Sequence, residues 1–144
     1  MKSKIVFWLM TIFLLTAGSS LYAQLAKKIP RIAFLAGGSR SVDSLLIETF
    51  WQRMKGLNYI EGKNIAVEYR FAEGVPERLP NFAGELVILN VDVIVGPGSG
   101  ALAAKKVTSI IPIVITYAGD PVGSGLVASL AHPGGNVTGL SGFT

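Results

Sequence analysis

The sequence predicts an α/β fold: a five-stranded parallel sheet in the order 2-1-3-4-5, doubly wound with helices on both faces. Three observations lead there. Short apolar runs alternate with helix-period segments along the 144 residues, with no long linker and no low-complexity tract. Several of these runs, such as Ile32–Ala36 and Val93–Val95, are apolar throughout, the pattern of strands buried on both faces. Three of them end in glycine-rich loops, at Gly37–Ser41, Gly96–Gly100 and Ala118–Gly125. In an open sheet of this order the chain reverses between strands 1 and 3, and ligands bind where the loops at the carboxyl ends of the strands face each other.

Taken in order, Gln24–Pro30 is a short basic lead and Arg31–Ala36 the first strand. A helix from Asp43 to Gly56 follows, with Leu46, Phe50, Met54 and Leu57 at helical spacing and Ile47 and Trp51 widening the stripe. Trp51 is read as a partly buried packing residue, and Gly56 and Asn58 as terminators, since Asn tolerates the left-handed conformation. Asn64–Phe71 alternates Ile65, Val67, Tyr69 and Phe71 with Asn64, Ala66, Glu68 and Arg70, an edge strand with one wetter face. Pro76 suits a first helical turn, and Leu79, Phe82, Ala83, Leu86 and Val87 recur at the spacing of an amphipathic helix that tolerates Pro80 early. The third strand is Val91–Val95, after which a small-residue helix opens at Ala101. Ile113–Tyr117 is the fourth strand, with Pro112 just before it. Leu126, Val127 and Leu130 mark a short helix, and Val137–Leu140 is the fifth strand.

Met1–Ala23 reads as a secretory signal: Lys2 and Lys4 precede the apolar run Ile5–Leu15, and small residues Ala17–Ser20 follow. The run is well short of the roughly 20 residues that span a bilayer as a helix. Cleavage is placed after Ala23, with Ser19 and Ser20 as alternatives and an uncleaved anchor as the competing reading. Export makes the protein periplasmic. Hydrophobic residues make up 50 % of the chain, enough for a real core. The net charge of +4 includes Lys2 and Lys4, and no Lys/Arg stripe marks a nucleic-acid partner. The absence of cysteine excludes a disulfide framework, a thiolate metal site and a cysteine nucleophile.

The chemistry on offer is that of a binding site. Glycines at the Gly96–Gly100 junction leave backbone N–H groups uncovered, and the start of the following helix adds partial positive charge, which together suit an anion or polar ligand. Gly96, Gly98 and Ala101 also fit a dinucleotide fingerprint with Asp120 about 20 residues on. That fingerprint belongs after the first strand of its unit, however, and Pro97 stiffens the turn. No phosphate-loop G-x-x-x-x-G-K-[ST] occurs. His132 is the sole histidine and reads as a turn residue. Ser39 and Ser99 lack the G-x-S-x-G context and a base, so no acyl-transfer dyad assembles. Asp120 either caps its turn or receives a ligand amino group. Tyr117, at the mouth of its strand, either packs or offers an apolar wall with a polar tip. No cofactor and no metal is expected.

Three stretches, VDVIVGPGSGALAAKK (Val91–Lys106), LNYIEGKNIAVEYRFAEGVPERLP (Leu57–Pro80) and GDPVGSGLVASLAHPGGNVTGLS (Gly119–Ser141), resemble the ABC-transporter substrate-binding proteins of the TrpX/YtwX-like group. The resemblance spans nearly all of the chain after the leader. It implies one lobe, residues 30–144, of a type I periplasmic-binding-protein fold with flavodoxin-like strand order, the second lobe being absent and the chain a fragment. It further implies a monomeric, non-catalytic receptor for a small solute, among them amino acids, that delivers to an ABC permease in the membrane. Carried over residue by residue, the ligand-binding positions are Gly38, Ser39, Arg40, Gly98, Ser99, Gly100, Tyr117, Gly119 and Asp120. Pro97 and Asn58 depart from the residues usual in the group. A nucleotide- or sugar-handling enzyme on the same doubly wound fold is the alternative, since fold alone does not fix function.

Overall fold

In the computed structural model, which describes residues 28–142, strands β1 (Arg31–Ala36), β2 (Ala66–Phe71), β3 (Val93–Gly96), β4 (Ile113–Ala118) and β5 (Val137–Ser141) alternate with helices α1 (Ser44–Gly56), α2 (Leu79–Ile88) and α3 (Gly98–Val107). The leader expected over residues 1–23 lies outside the described residues, as do residues 143 and 144. All strand pairs are parallel, in the order β2-β1-β3-β4-β5. This is the predicted order, and it puts the reversal beside β1.

Period-two alternation sorts the strand residues between two cores. Ala33, Leu35, Ile94, Ile113 and Ile115 face α2 and α3, where Leu79, Ala83, Leu86, Ala101 and Ala104 meet them. Ile32, Phe34 and Val95 face the opposite way, toward Phe50, Trp51 and Met54 of α1. Phe34 is the centre of this second core, with its ring edge-on to Phe50 at 5.0 Å and stacked on Tyr69 at 5.6 Å. Full burial of such a side chain stabilises by roughly 2–3 kcal/mol, and the aromatic pairs add to that. Ala at 33, 83, 101 and 104 lets the α2–α3 layer approach closely.

Helix α1 docks through Ile47, Phe50, Trp51 and Met54, whereas Leu46 and Leu57 remain largely exposed. The buried stripe is therefore rotated by one residue from the Leu46-centred one expected. Trp51 is the partly buried packing residue anticipated, and its indole N–H donates to the Tyr69 hydroxyl at 2.8 Å. The helix ends at Gly56 as predicted, and Asn58, one of the two expected terminators, takes φ 64° just beyond it. There Tyr59 N–H returns to Met54 C=O and Asn58 N–H to Lys55 C=O, both at 2.9 Å, a Schellman closure. On β2 the wetter face carries Arg70, paired with Glu85 of α2 at 2.9 Å. Pro76 opens a short 3-10 turn, and α2 proper starts at Leu79 with Pro80 in its first turn.

Two further expectations fail. Helix α3 starts at Gly98, not Ala101: Pro97 is extended at ψ 171° and hands Gly98, Ser99 and Gly100 straight into helical geometry. The short helix expected around Leu126–Leu130 does not form. Gly125, Gly134 and Gly135 all take positive φ, and the carbonyls of Gly125 and Leu126, which a helix would need, accept from Lys105 Nζ at 2.6 and 3.1 Å. Leu126 and Val127 instead fold inward as a plug in the α2–α3 core. Among the described residues no helix is long and apolar enough to cross a membrane.

Candidate functional site

The carboxyl ends of β3 and β4 frame an open depression of about 360 Å³. Pro97, Gly98 and Ser99 form one wall, Tyr117, Gly119 and Asp120 the other, and Leu102, Ser124 and Leu126 complete it. The β3–α3 junction behind it is set by backbone contact. Gly96 and Gly100 pass so close to the Leu35 carbonyl of β1 that a methyl group at either would collide with it. Their missing side chains are thus a packing requirement of β1, which accounts for most of the dinucleotide-like glycine pattern without a nucleotide. Across the reversal the β1 exit loop comes within reach: a methyl at Gly37 would lie 3.1 Å from Ser99 Oγ.

No side chain caps α3, and its first intrahelical bond runs from Ala101 N–H to Pro97 C=O at 2.9 Å. The amides of Gly98, Ser99 and Gly100 precede that bond, so the helix leaves them without acceptors of its own at the positive end of its dipole. Ser99 is exposed at the same rim.

The opposite wall is placed by a β-bulge. Ile115 pairs with Gly139 and Ala118 with Ser141, so three steps of β4 run against two of β5. Ile113 and Ile115 point into the α2–α3 core, and the bulge returns Ala118 to that same core. Tyr117 is thereby turned out at the mouth, 56 % exposed. Of the two readings open for this residue, the exposed wall describes its place. Asp120 caps its turn, accepting Gly123 N–H on Oδ1 at 2.7 Å, and as an exposed carboxylate at the cleft rim it keeps capacity for a second donor. Lys105 Nζ, bonded to Gly125 and Leu126, clamps this loop to the last turn of α3.

Six of the nine predicted positions, Gly98, Ser99, Gly100, Tyr117, Gly119 and Asp120, are thus gathered at this junction, although Gly100 itself is buried beneath the β1 carbonyl. The other three stand apart from the depression. Gly38 C=O accepts Glu73 N–H at 3.1 Å, tying its loop to the exit of β2. Ser39 Oγ pairs with Ser41 Oγ at 2.8 Å. Arg40 swings to the α1 face, its guanidinium 4.6 Å from the Tyr69 ring centroid. Burial raises the Tyr69 hydroxyl above the usual phenol range, so Arg40 stacks on a neutral ring. Beside Gly38, Asp43 Oδ2 is buried without a hydrogen-bond partner among the described residues. Among those residues no three His, Asp or Glu side chains lie close enough to hold a metal ion, and His132 sits in a turn closed by Ser129. Sequence reasoning missed Ser124, Leu126 and Lys105. The glycines around Ser124 were a usable signal, whereas nothing in the sequence aims Lys105 twenty residues ahead.

Known proteins are similar to this chain in sequence and fold. A tyrosine-binding protein from Clostridioides difficile is 35% identical over 95 residues, which cover 65% of this chain and 28% of that protein. A structure from Streptococcus pneumoniae in complex with L-Trp matches with TM-score 0.72 at 26% identity, over 78% of this chain and 38% of the other. A conserved domain protein from Vibrio cholerae matches with TM-score 0.76 at 36% identity, over 81% of this chain and 40% of the other. The ligand-free, open form of a Clostridium difficile substrate binding protein with adhesive properties matches with TM-score 0.75 at 27% identity, over 81% and 40%. The chain thus spans well under half the length of these proteins. The family model for ABC transporter substrate binding proteins matches residues 40–144, and the chain belongs to that family.

Proposed function

We propose that the depression between α3 and the Tyr117–Leu126 loop is one wall of a receptor site for an aromatic amino acid, which the protein binds and does not transform. The observation that carries this is the set of groups lining one hollow. The uncapped amides of Gly98 and Ser99 and the Ser99 hydroxyl suit a carboxylate. The Asp120 carboxylate suits an ammonium group, and the exposed Tyr117 ring beside Leu102 and Leu126 suits an aromatic side chain. The L-Trp complex of one structural neighbour and the tyrosine-binding name of another relative support that ligand class.

In this reading residues 30–144 act as the N-terminal lobe of a two-lobed receptor, exported behind the leader of residues 1–23 to the periplasm and serving an ABC permease. Gly38, Ser39 and Arg40 then line the far side of the cleft once a second lobe closes over it. A lone lobe supplies only part of the contacts, so its affinity is weak.

The test is amide NMR of the purified chain titrated with L-tyrosine and L-tryptophan at millimolar concentration, with glycine as control. Selective shifts at Gly98–Gly100, Tyr117 and Asp120 with the aromatic ligands are expected. Shifts elsewhere only, or equal response to glycine, defeat the site. Micromolar affinity in calorimetry keeps the site and defeats the one-lobe reading.

A further inference from the structure

Helix α1 lacks a cap at the end where a carboxylate stands idle. Its first intrahelical bond runs from Ile47 N–H to Asp43 C=O at 3.0 Å. The amides of Ser44, Leu45 and Leu46 precede that bond, and no side chain caps them. Asp43 holds the N-cap position, and aspartate is among the residues that serve it best. Here it does not serve. With φ −89° and ψ 4° its backbone lies outside the extended region that capping residues take. Its Oδ2 is buried beside Gly38 with no donor among the described residues. Amides without a protein acceptor thus share a helix end with an acceptor without a donor, one backbone rotation apart.

The turn before it holds Asp43 in that position. Val42 N–H and Asp43 N–H both donate to Ser39 C=O, at 3.1 and 3.2 Å, so residues 40–43 form one loose turn ahead of α1. Ser39 Oγ caps this turn, reaching Val42 N–H at 3.4 Å while shared with Ser41 Oγ at 2.8 Å. Val42 is 77 % exposed, so it packs little. Arg40, stacked on Tyr69, ties the turn to the sheet. Ser39 and Asp43 are therefore rival caps one turn apart. The Asp43 oxygen is already covered, so no outside donor reaches it unless the turn moves.

We propose that Ser39–Asp43 is a one-turn latch with two positions. In the position seen, Ser39 caps and Arg40 rests on Tyr69. In the other, the turn unwinds and Asp43 rotates to extended geometry, where its carboxylate accepts Leu45 or Leu46 N–H. Helix α1 then starts one turn later, and Arg40 is released. The exchange gives up two main-chain bonds, a weak cap and a cation–π contact. It gains a charged cap and a satisfied carboxylate, terms of similar size, so both positions are populated. Released, Arg40 lies on the segment whose Gly37 end abuts Ser99. A carboxylate held at the α3 junction then draws the guanidinium toward itself and favours the unwound position. That coupling rests on the proposed reading of the site; the latch does not.

NMR on the purified chain tests the latch without ligand. Asp43→Ala removes the rival cap, so the Val42 amide is expected to gain protection from solvent exchange by about fivefold. Asp43→Asn, which still caps, stays near the parent. Ser39→Ala acts the other way, lowering Val42 protection and shrinking the upfield ring shift of the Arg40 side-chain protons, a shift that Tyr69→Leu identifies by abolishing it. Equal or lower Val42 protection in Asp43→Ala, as a water molecule bound to Oδ2 would give, overturns the latch. Should that variant not fold, an Arg40 shift unmoved in Ser39→Ala does so. Adding L-tryptophan at millimolar concentration judges the coupling, with loss of the Arg40 shift expected alongside new shifts at Ser99. Shifts at Ser99 with Arg40 unmoved overturn the coupling. Shifts at neither defeat the site reading, while the ligand-free arms still decide the latch.

Discussion

The two walls of the cleft are built by opposite means. The β3–α3 junction is fixed by exclusion: Gly96 and Gly100 lie against the Leu35 carbonyl, and no other residue fits there. The loop after β4 is fixed by attachment, through Asp120 on Gly123 N–H and Lys105 on two carbonyls, and a Cβ at Gly119 would meet nothing within 4 Å. A wall held by sterics is rigid and intolerant of change. A wall held by a few polar attachments is adjustable.

That contrast is broken most directly at its steric end. Gly100→Ala is expected to destabilise by about 3 kcal/mol or to prevent folding, because a methyl meets backbone that cannot retreat, while Gly119→Ala stays within roughly 0.5 kcal/mol. Thermal unfolding of both variants decides it, and similar melting temperatures would erase the distinction. A smaller effect is expected at the clamp. Lys105→Met removes two hydrogen bonds at an exposed lysine, worth on the order of 1 kcal/mol together, and should speed hydrogen exchange at Val127 and its neighbours while β1 and β3 stay protected. Lys105→Arg restores most of that protection. Smaller still, Asp120→Asn keeps an acceptor for Gly123 and should leave the melting temperature unchanged while lowering affinity for a ligand ammonium group by about tenfold. Equal affinity in both forms would assign Asp120 to the turn alone.

The weakest effect expected lies at the amino ends of the strands. The Lys28 ammonium, at 2.6 Å, and the Arg31 N–H, at 2.8 Å, hold the Asp92 carboxyl below its usual range. A carboxyl lowered by folding stabilises above its unfolded pKa, and that stability is lost as pH falls through the folded value. The site is exposed, so the contribution is slight. A pH series from neutral to acid should show a small extra loss below about pH 4 that Asp92→Asn abolishes.

Much of this was legible in the sequence where one residue type answers one local demand. Continuous apolar runs marked β1 and β3, Asn58 marked the end of α1, and the alternation of Asn64–Phe71 marked an edge strand with a wet face. Gly98, Ser99, Tyr117, Gly119 and Asp120 line one depression, and the sequence pointed to them together because glycine-rich loops at strand ends meet at the carboxyl edge of this topology. What failed depended on contacts distant in sequence. The helix expected at Leu126–Leu130 lost its carbonyls to Lys105 and its side chains to the core. The outward turn of Tyr117 needs the bulge against β5, and the direction of Arg40 needs the Tyr69 ring, neither of which local pattern encodes.

The Leu35 carbonyl under Gly96 and Gly100 has one more consequence. Close contact of main chain with main chain leaves selection no side chains to vary at Gly96 and Gly100. On the proposed reading of the site, diversification is therefore channelled into the segment from Tyr117 to Leu126, so swapping that single segment between relatives should carry solute preference with it and leave the scaffold intact.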